Sequence, residues 1–430
     1  MRLMIKLIKP ALGLILINAG AVFADSSGGF NLRAGIGYDY ISQEYFLESD
    51  SIYLNPDSSL KSALLKKDYM DDKKGSLFLG YTSDPKNDKN LNQIYEIGWE
   101  QTGEMFRILG SGRVGKKWQK SRLEGNFRLE LKENYNGMAE PGEELTVLNS
   151  YLDYRHQLSN MTELRSRIYT ESVRFDTVEP YIYDYSRYGI ELGFSIFTAG
   201  LSSISVGSAF EIRDVPDSNQ LDYYLLRGNL GYFGTVFGAG LTADFGLEWR
   251  NYDRSNGRNS YFLLSLNSDT RMPLGKNFFL IAKQNLEYFK FSQDDFINDD
   301  YYLVRLGLKG GHDFGRLSAS FGPEIELLSI DSDYTNDDDY AEIMAVFGAD
   351  YFGTGGLFFM IENKFGKRNY KNDSDYRSEF LFDRANFIGS AALFGGLNFD
   401  ILLSLDIEFH DTDSDDSRLY LVSGGLSYHF

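Results

Sequence analysis

The 430-residue sequence contains no cysteine, so no disulfide framework holds it together. It has only 8 prolines and 4 histidines. Basic residues are under-represented, 43 against 62 acidic, for a formal charge of −19. That balance excludes a basic nucleic-acid footprint and argues against attachment to anionic surfaces. Past residue 24 there is no run of 18 apolar residues, so no helix of the remaining chain is expected to span a membrane. What the sequence does have is aromatic residues and glycine: 30 Tyr, 33 Phe and 43 Gly.

The first 24 residues, MRLMIKLIKPALGLILINAGAVFA, have the layout of a secretory signal peptide. Arg2, Lys6 and Lys9 precede an apolar segment from Ala11 to Val22, and Val22 and Ala24 are the small residues before a cut ahead of Asp25. The segment is short for a membrane anchor and contains Asn18. Residues 1–24 are therefore expected to be removed and 25–430 to form a single domain. Losing three basic residues would take the formal charge from −19 to −22.

The rest of the chain repeats one pattern. In RLEGNFRLELKENY (122–135), Leu123, Gly125, Phe127, Leu129, Leu131 and Tyr135 alternate with Arg122, Glu124, Asn126, Arg128, Glu130, Lys132 and Asn134. A period of two is a strand with one apolar and one polar face. Similar segments run through GFNLRAGIGYDYI (29–41), VFGAGLTADFGLEW (236–249) and GLNFDILLSLDIEF (396–409). Most extend well past the roughly 5–6 residues of an ordinary soluble strand. About 20 such segments occur, of the length that tilted strands need to cross ~25 Å of hydrocarbon. Connections alternate between short turns, such as 313–315, and longer acidic loops at 216–220, 293–300, 332–339, 371–380 and 411–417.

The chain ends LYLVSGGLSYHF, with Tyr420, Val422, Leu426, Tyr428 and Phe430 in one phase. Together with the export signal and the repeated strands, this resembles the Gram-negative outer-membrane β-barrel proteins. The resemblance implies an all-β, closed antiparallel up-and-down barrel with an even strand number near 20, in a range of about 16–22. It implies localisation in the outer membrane, with lipid and lipopolysaccharide as surroundings. It also implies that Tyr428 and Phe430 form a C-terminal signal read by the barrel-assembly machinery. A soluble periplasmic all-β protein is the competing architecture; its strands would be shorter.

On that fold the polar phase faces the lumen. Arg107, Arg113, Lys117, Arg122, Arg128, Lys132, Arg155, Arg165 and Arg167 share it, with Glu124, Glu130, Asp153, Glu163 and Glu171. Such a wall either filters solutes by charge or braces neighbouring strands through cross-strand ion pairs. Arg213, Arg227, Arg250, Lys283 and Arg305 extend it more sparsely, and glycines such as Gly193, Gly207, Gly238 and Gly246 leave room or permit curvature. The longest loop is expected at 48–74, with a short helix in SSLKSALLKKDYM (58–70) capped by Ser58 and carrying Leu60, Leu64 and Leu65.

No catalytic constellation emerges: His156, His312, His410 and His429 are scattered, and the best pair, His410-Asp411, stands alone. The sequence points to no enzyme and no cofactor. Asp411, Asp413 and Asp415 space their carboxylates like the first half of a calcium loop but lack its glycine and distal glutamate. Divalent cations are accordingly possible partners at the acidic loops. The function expected is a passive channel for small polar solutes; the alternatives are a surface adhesin, receptor or assembly scaffold and, less favoured, an outer-membrane hydrolase.

Overall fold

The computed structural model describes residues 29–48, 63–83, 91–102, 105–134, 144–175, 183–198, 202–216, 218, 221–252, 260–292, 300–331, 339–371, 379–393, 397–410 and 417–429. For 31, 33, 37–48, 63–74 and 429 the description is of the backbone. The strands begin with β1 (Gly29–Glu48), β2 (Ala63–Thr82), β3 (Leu91–Gln101), β4 (Met105–Lys117) and β5 (Ser121–Asn134). Next come β6 (Leu145–Ser159), β7 (Thr162–Phe175), β8 (Tyr185–Phe197), β9 (Ser203–Asp214) and β10 (Tyr223–Val236). They continue through β11 (Ala239–Tyr252), β12 (Tyr261–Pro273), β13 (Phe278–Phe291), β14 (Asp300–Asp313) and β15 (Leu317–Asp331). The last five are β16 (Tyr340–Phe352), β17 (Phe358–Tyr370), β18 (Phe380–Ala392), β19 (Leu397–His410) and β20 (Ser417–His429).

Each strand pairs antiparallel with the next, and β1 closes on β20 from Arg33↔His429 to Tyr45↔Ser417. The result is a closed 20-strand up-and-down barrel. Closure satisfies every ladder hydrogen bond inside the sheet, the condition for a β-structure to cross hydrocarbon. No helix among the described residues is long and apolar enough to span a membrane, which is silent on strands.

The period-two pattern sets the faces. Ile168, Tyr188, Ile190, Leu192, Val206 and Leu230 are exposed on the outward phase of the isolated chain. The pattern lapses on β17 and β18, where Asn363 and Asp383 take outward positions. There the Asn363 amide donates to the Asp383 carboxylate at 2.6 Å, so the two polar groups satisfy each other.

One expectation fails. Residues 63–74 are not loop and Leu64 and Leu65 are not helical: Ala63↔Glu48 through Lys74↔Gly37 are register partners of β1 and β2. Helix periodicity competes here with a ladder to β1 that pairs this stretch along one edge, and the ladder wins. Residues 49–62, with Ser58 and Leu60, lie outside the described residues. On its other side β2 pairs with β3 only over Gly75–Thr82, so this hairpin projects past its neighbour. Both chain ends of the barrel lie at the rim of the short turns, whereas nine of the ten outer connections are six residues or longer (135–144, for example). The exceptions are the connection at 83–90, long for the inner rim, and 102–104, short for the outer.

Candidate functional site

Curvature tells the inner face from the outer. On a concave surface side chains converge, so strands that are not neighbours can touch there. Tyr169 on β7 donates to Glu211 on β9 at 2.6 Å, and Lys364 on β17 to Glu324 on β15 at 2.9 Å. Lys309 on β14 reaches Glu362 on β17 at 3.6 Å. All of these belong to the polar phase, which therefore lines the lumen.

Along β4–β7 three carboxylates organise the arginines. Glu130 takes Arg107 at 2.7 Å and Arg128 at 3.0 Å. Glu124 takes Arg122 and, at 3.5 Å, Arg113, and accepts from the Tyr151 hydroxyl at 3.2 Å. Asp153 gathers Arg155 at 3.1 Å, Arg165 at 2.6 Å and Arg167 at 3.2 Å. Lys132 stands opposite Arg107 in register.

The exposures decide what solvent in the lumen meets. The Asp153 side chain is 4% exposed, while those of Arg155, Arg165 and Arg167 are 43%, 36% and 28% exposed. Short carboxylates lie against the wall and the longer guanidiniums fold over them. The same layering recurs at Glu342, 1% exposed beneath Arg368 and Arg384, and at Glu326 beneath Arg305. At these positions the wall presents cations at its surface; at Lys309–Glu362 and Arg384–Asp406 the order is reversed and the carboxylate is the more exposed partner.

Towards the outer rim a second arrangement repeats, which the sequence reading did not pick out. The first residues of β8, β10, β12 and β16 are Tyr185, Tyr223, Tyr261 and Tyr340, each donating its hydroxyl to a glutamate on the preceding strand: Glu171, Glu211, Glu248 and Glu326. The first two and the last of these bonds measure 3.1, 2.7 and 2.7 Å. The residue before each tyrosine, Asp184, Asp222, Ser260 or Asp339, accepts an amide N–H within one residue of the end of the previous strand: Phe175, Val215, Tyr252 or Ile330. Asp300, ahead of Tyr301, does the same for Phe291. The signal was available as an Asp/Ser-Tyr pair at 184, 222, 260, 300 and 339, one hairpin apart. Arginines interleave with these rings. Arg213 lies 4.4 Å from the Tyr185 centroid and 5.8 Å from that of Tyr223, and Arg250 lies 4.6 Å from Tyr223 and 5.0 Å from Tyr261.

Asp339 lies outside the strands. Burial pushes its carboxyl up, but the Ile330 N–H and the Lys371 ammonium outweigh this and hold it below the usual carboxylate range.

Below the tyrosines a recess of about 670 Å³ opens into the lumen across β6–β12. Gly193, Gly207 and Gly246 form its floor, Arg155 and Arg165 one edge, and Arg227 and Glu248 the other. The Asn229 amide lies over Gly207, where a Cβ would be 2.2 Å from its oxygen, and Ser265 lies over Gly246. At Gly193 a Cβ would make only ordinary contacts. Gly238 belongs to none of this: it turns the β10–β11 hairpin at φ 83°.

The histidines stay apart. His156 Nδ1 is 2.8 Å from the Ser121 hydroxyl and its ring stacks near Tyr154, but among the described residues no carboxylate orients that ring. His312 packs against Phe278 and Phe314. His410 sits 3.6 Å from Glu408 and against Phe380. Among the described residues no cluster of metal-ligating side chains occurs; Asp411, Asp413, Asp415 and Phe430 lie outside them, as does the segment 1–24. Tyr428 pairs with Ala34 and Leu397 at the seam.

No family model matches the sequence, and no curated protein does. Solved structures do. The siderophore receptor PirA from Pseudomonas aeruginosa superposes with a TM-score of 0.54 at 11% identity, covering 93% of this chain and 80% of that one. The alcaligin outer-membrane receptor FauA from Bordetella pertussis gives 0.51 at 10% identity, covering 92% and 76%. A BenF-like porin from Pseudomonas fluorescens Pf-5 gives 0.46 at 12%, covering 93% and 99%. Identities this low speak for the fold alone, and the fold is that of a Gram-negative outer-membrane β-barrel protein.

Proposed function

We propose that the protein is a passive outer-membrane channel for small polar solutes, and not an enzyme, with a wall that favours anions. The reading rests on one observation, the layering of the lumen wall: carboxylates such as Asp153 lie deep and guanidiniums stand in front of them. Bracing alone would be served by pairs of any depth. Here the struts and the cationic lining are the same residues. The barrel is wide enough to conduct: 20 strands at ~4.8 Å spacing and ~40° tilt put the backbone roughly 20 Å from the axis of a circular barrel. Side chains of this length do not fill such a lumen.

The acidic outer loops belong, in this reading, to the cell surface, where divalent cations bridge them to lipopolysaccharide. Purified protein added to a planar bilayer is expected to give discrete conductance steps in KCl. A silent bilayer would favour the non-transport reading, a surface receptor or scaffold, for which the projecting β1–β2 hairpin is the supporting feature.

A further inference from the structure

Arg213 differs from the other lumen arginines described above. Among the described residues it makes no ion pair and no hydrogen bond, although its guanidinium lies near two rings, 4.4 Å from Tyr185 and 5.8 Å from Tyr223. Its Nε is enclosed and meets no acceptor. The nearby carboxylates are already committed. Glu171 accepts from Tyr185 and Arg187, and Glu211 accepts from Tyr169 at 2.6 Å and Tyr223 at 2.7 Å while lying 3.9 Å from Arg187. Arg187 stands directly opposite Arg213 in register, so two guanidiniums share one rung of the ladder. Like charges facing each other across strands are destabilising unless something sits between them.

We infer that Arg213, with Arg187 across the rung, forms an oxyanion-binding site at the outer mouth of the barrel. A guanidinium is planar and offers its donors along its edge, in a fork that matches the two oxygens of a carboxylate or phosphoryl group. The Tyr185 ring at 4.4 Å, with the Tyr223 ring at 5.8 Å, holds the guanidinium in place before the ligand arrives, and its terminal Nη groups are the donors left to meet it. The local carboxylates accept from tyrosine hydroxyls and from Arg187, and neither pairs with Arg213. An anion seated on its edge also relieves the repulsion from Arg187. From there a solute descends toward Arg227, Arg165 and Arg155 around the glycine-floored recess.

This inference rests on the channel reading only for its purpose, and the test separates the two. Isothermal titration of the detergent-solubilised protein measures binding without conduction, using sodium gluconate as carboxylate probe and inorganic phosphate as phosphoryl probe. The wild-type barrel is expected to bind at least one of them with one-site saturation, and the stronger probe names the source. Arg213→Gln is expected to weaken that binding at least tenfold. Arg213→Lys, which keeps the charge but loses the fork and the stacking, is expected to recover only part of it. Both variants should keep the heat-modifiable gel migration of the folded barrel. Binding of neither probe, or equal binding by the wild type and Arg213→Gln, overturns the site. Binding in a barrel that shows no conductance would leave the site standing and refute the channel.

Discussion

Replacing Asp153 by Asn separates the two roles of the lumen wall in one substitution. The side chain keeps its size and one acceptor oxygen but loses the charge beneath Arg155, Arg165 and Arg167. A fully buried charged hydrogen bond would be worth about 1.5–3 kcal/mol. The guanidiniums here are 28–43% exposed, so water screens each pair to about 0.5–1 kcal/mol. Three such pairs, with one acceptor retained, give a loss of about 2 kcal/mol. Urea unfolding of the detergent-solubilised barrel, followed by gel migration, should show it as an earlier midpoint. The same change removes one negative charge from behind three cations, so the reversal potential in a KCl gradient should move further toward chloride. If the midpoint falls while selectivity stays fixed or moves toward potassium, the guanidiniums brace the wall but do not face the ion path, and the layering argument is wrong.

Arg128→Glu with Arg165→Glu should shift selectivity toward cations with the barrel still folded; an unchanged reversal potential would make these residues struts only. Gly193→Trp, whose Cβ meets no obstruction, should fold normally and lower conductance by filling the recess. Gly189→Val should instead destabilise, because its Cβ would fall 2.2 Å from the Tyr169 ring that holds Glu211. The Asp339 carboxyl is depressed below its unfolded value of ~3.9, so its contribution is complete above that value and is lost as pH falls through the lower folded one. Heat resistance of the folded form should therefore be flat from neutral pH to about 5 and fall below about 4, a fall that Asp339→Asn should diminish.

Much of the barrel was legible because lipid imposes a strict rule: inside hydrocarbon one face must be apolar, and a period of two records it. The segment RLEGNFRLELKENY became β5, Ser121–Asn134. Where lipid ends the rule ends. Lys66, Lys67, Asp68, Asp71, Asp72, Lys73 and Lys74 place charges in both phases of the alternation, so that stretch read as loop although its backbone is laddered to β1. The phase of Arg122, Arg155 and Arg165 was likewise readable, since it follows from the same alternation. Which group lies deep was not: depth depends on side-chain length and wall curvature, and neither leaves a period. The contacts that skip a strand, such as Tyr169 to Glu211, arise from curvature alone. The Asp/Ser-Tyr pairs did leave a trace at hairpin spacing, but a two-residue signal gains meaning only once the hairpins are known.

A channel of this kind needs an open lumen whose walls present cations despite a chain of formal charge −19. Single-channel recording in a planar bilayer under a tenfold KCl gradient tests both parts at once. Stable conductance steps with a zero-current potential displaced toward the chloride equilibrium value are the expected result. Steps displaced toward the potassium value, or no steps at all from correctly folded protein, would contradict it.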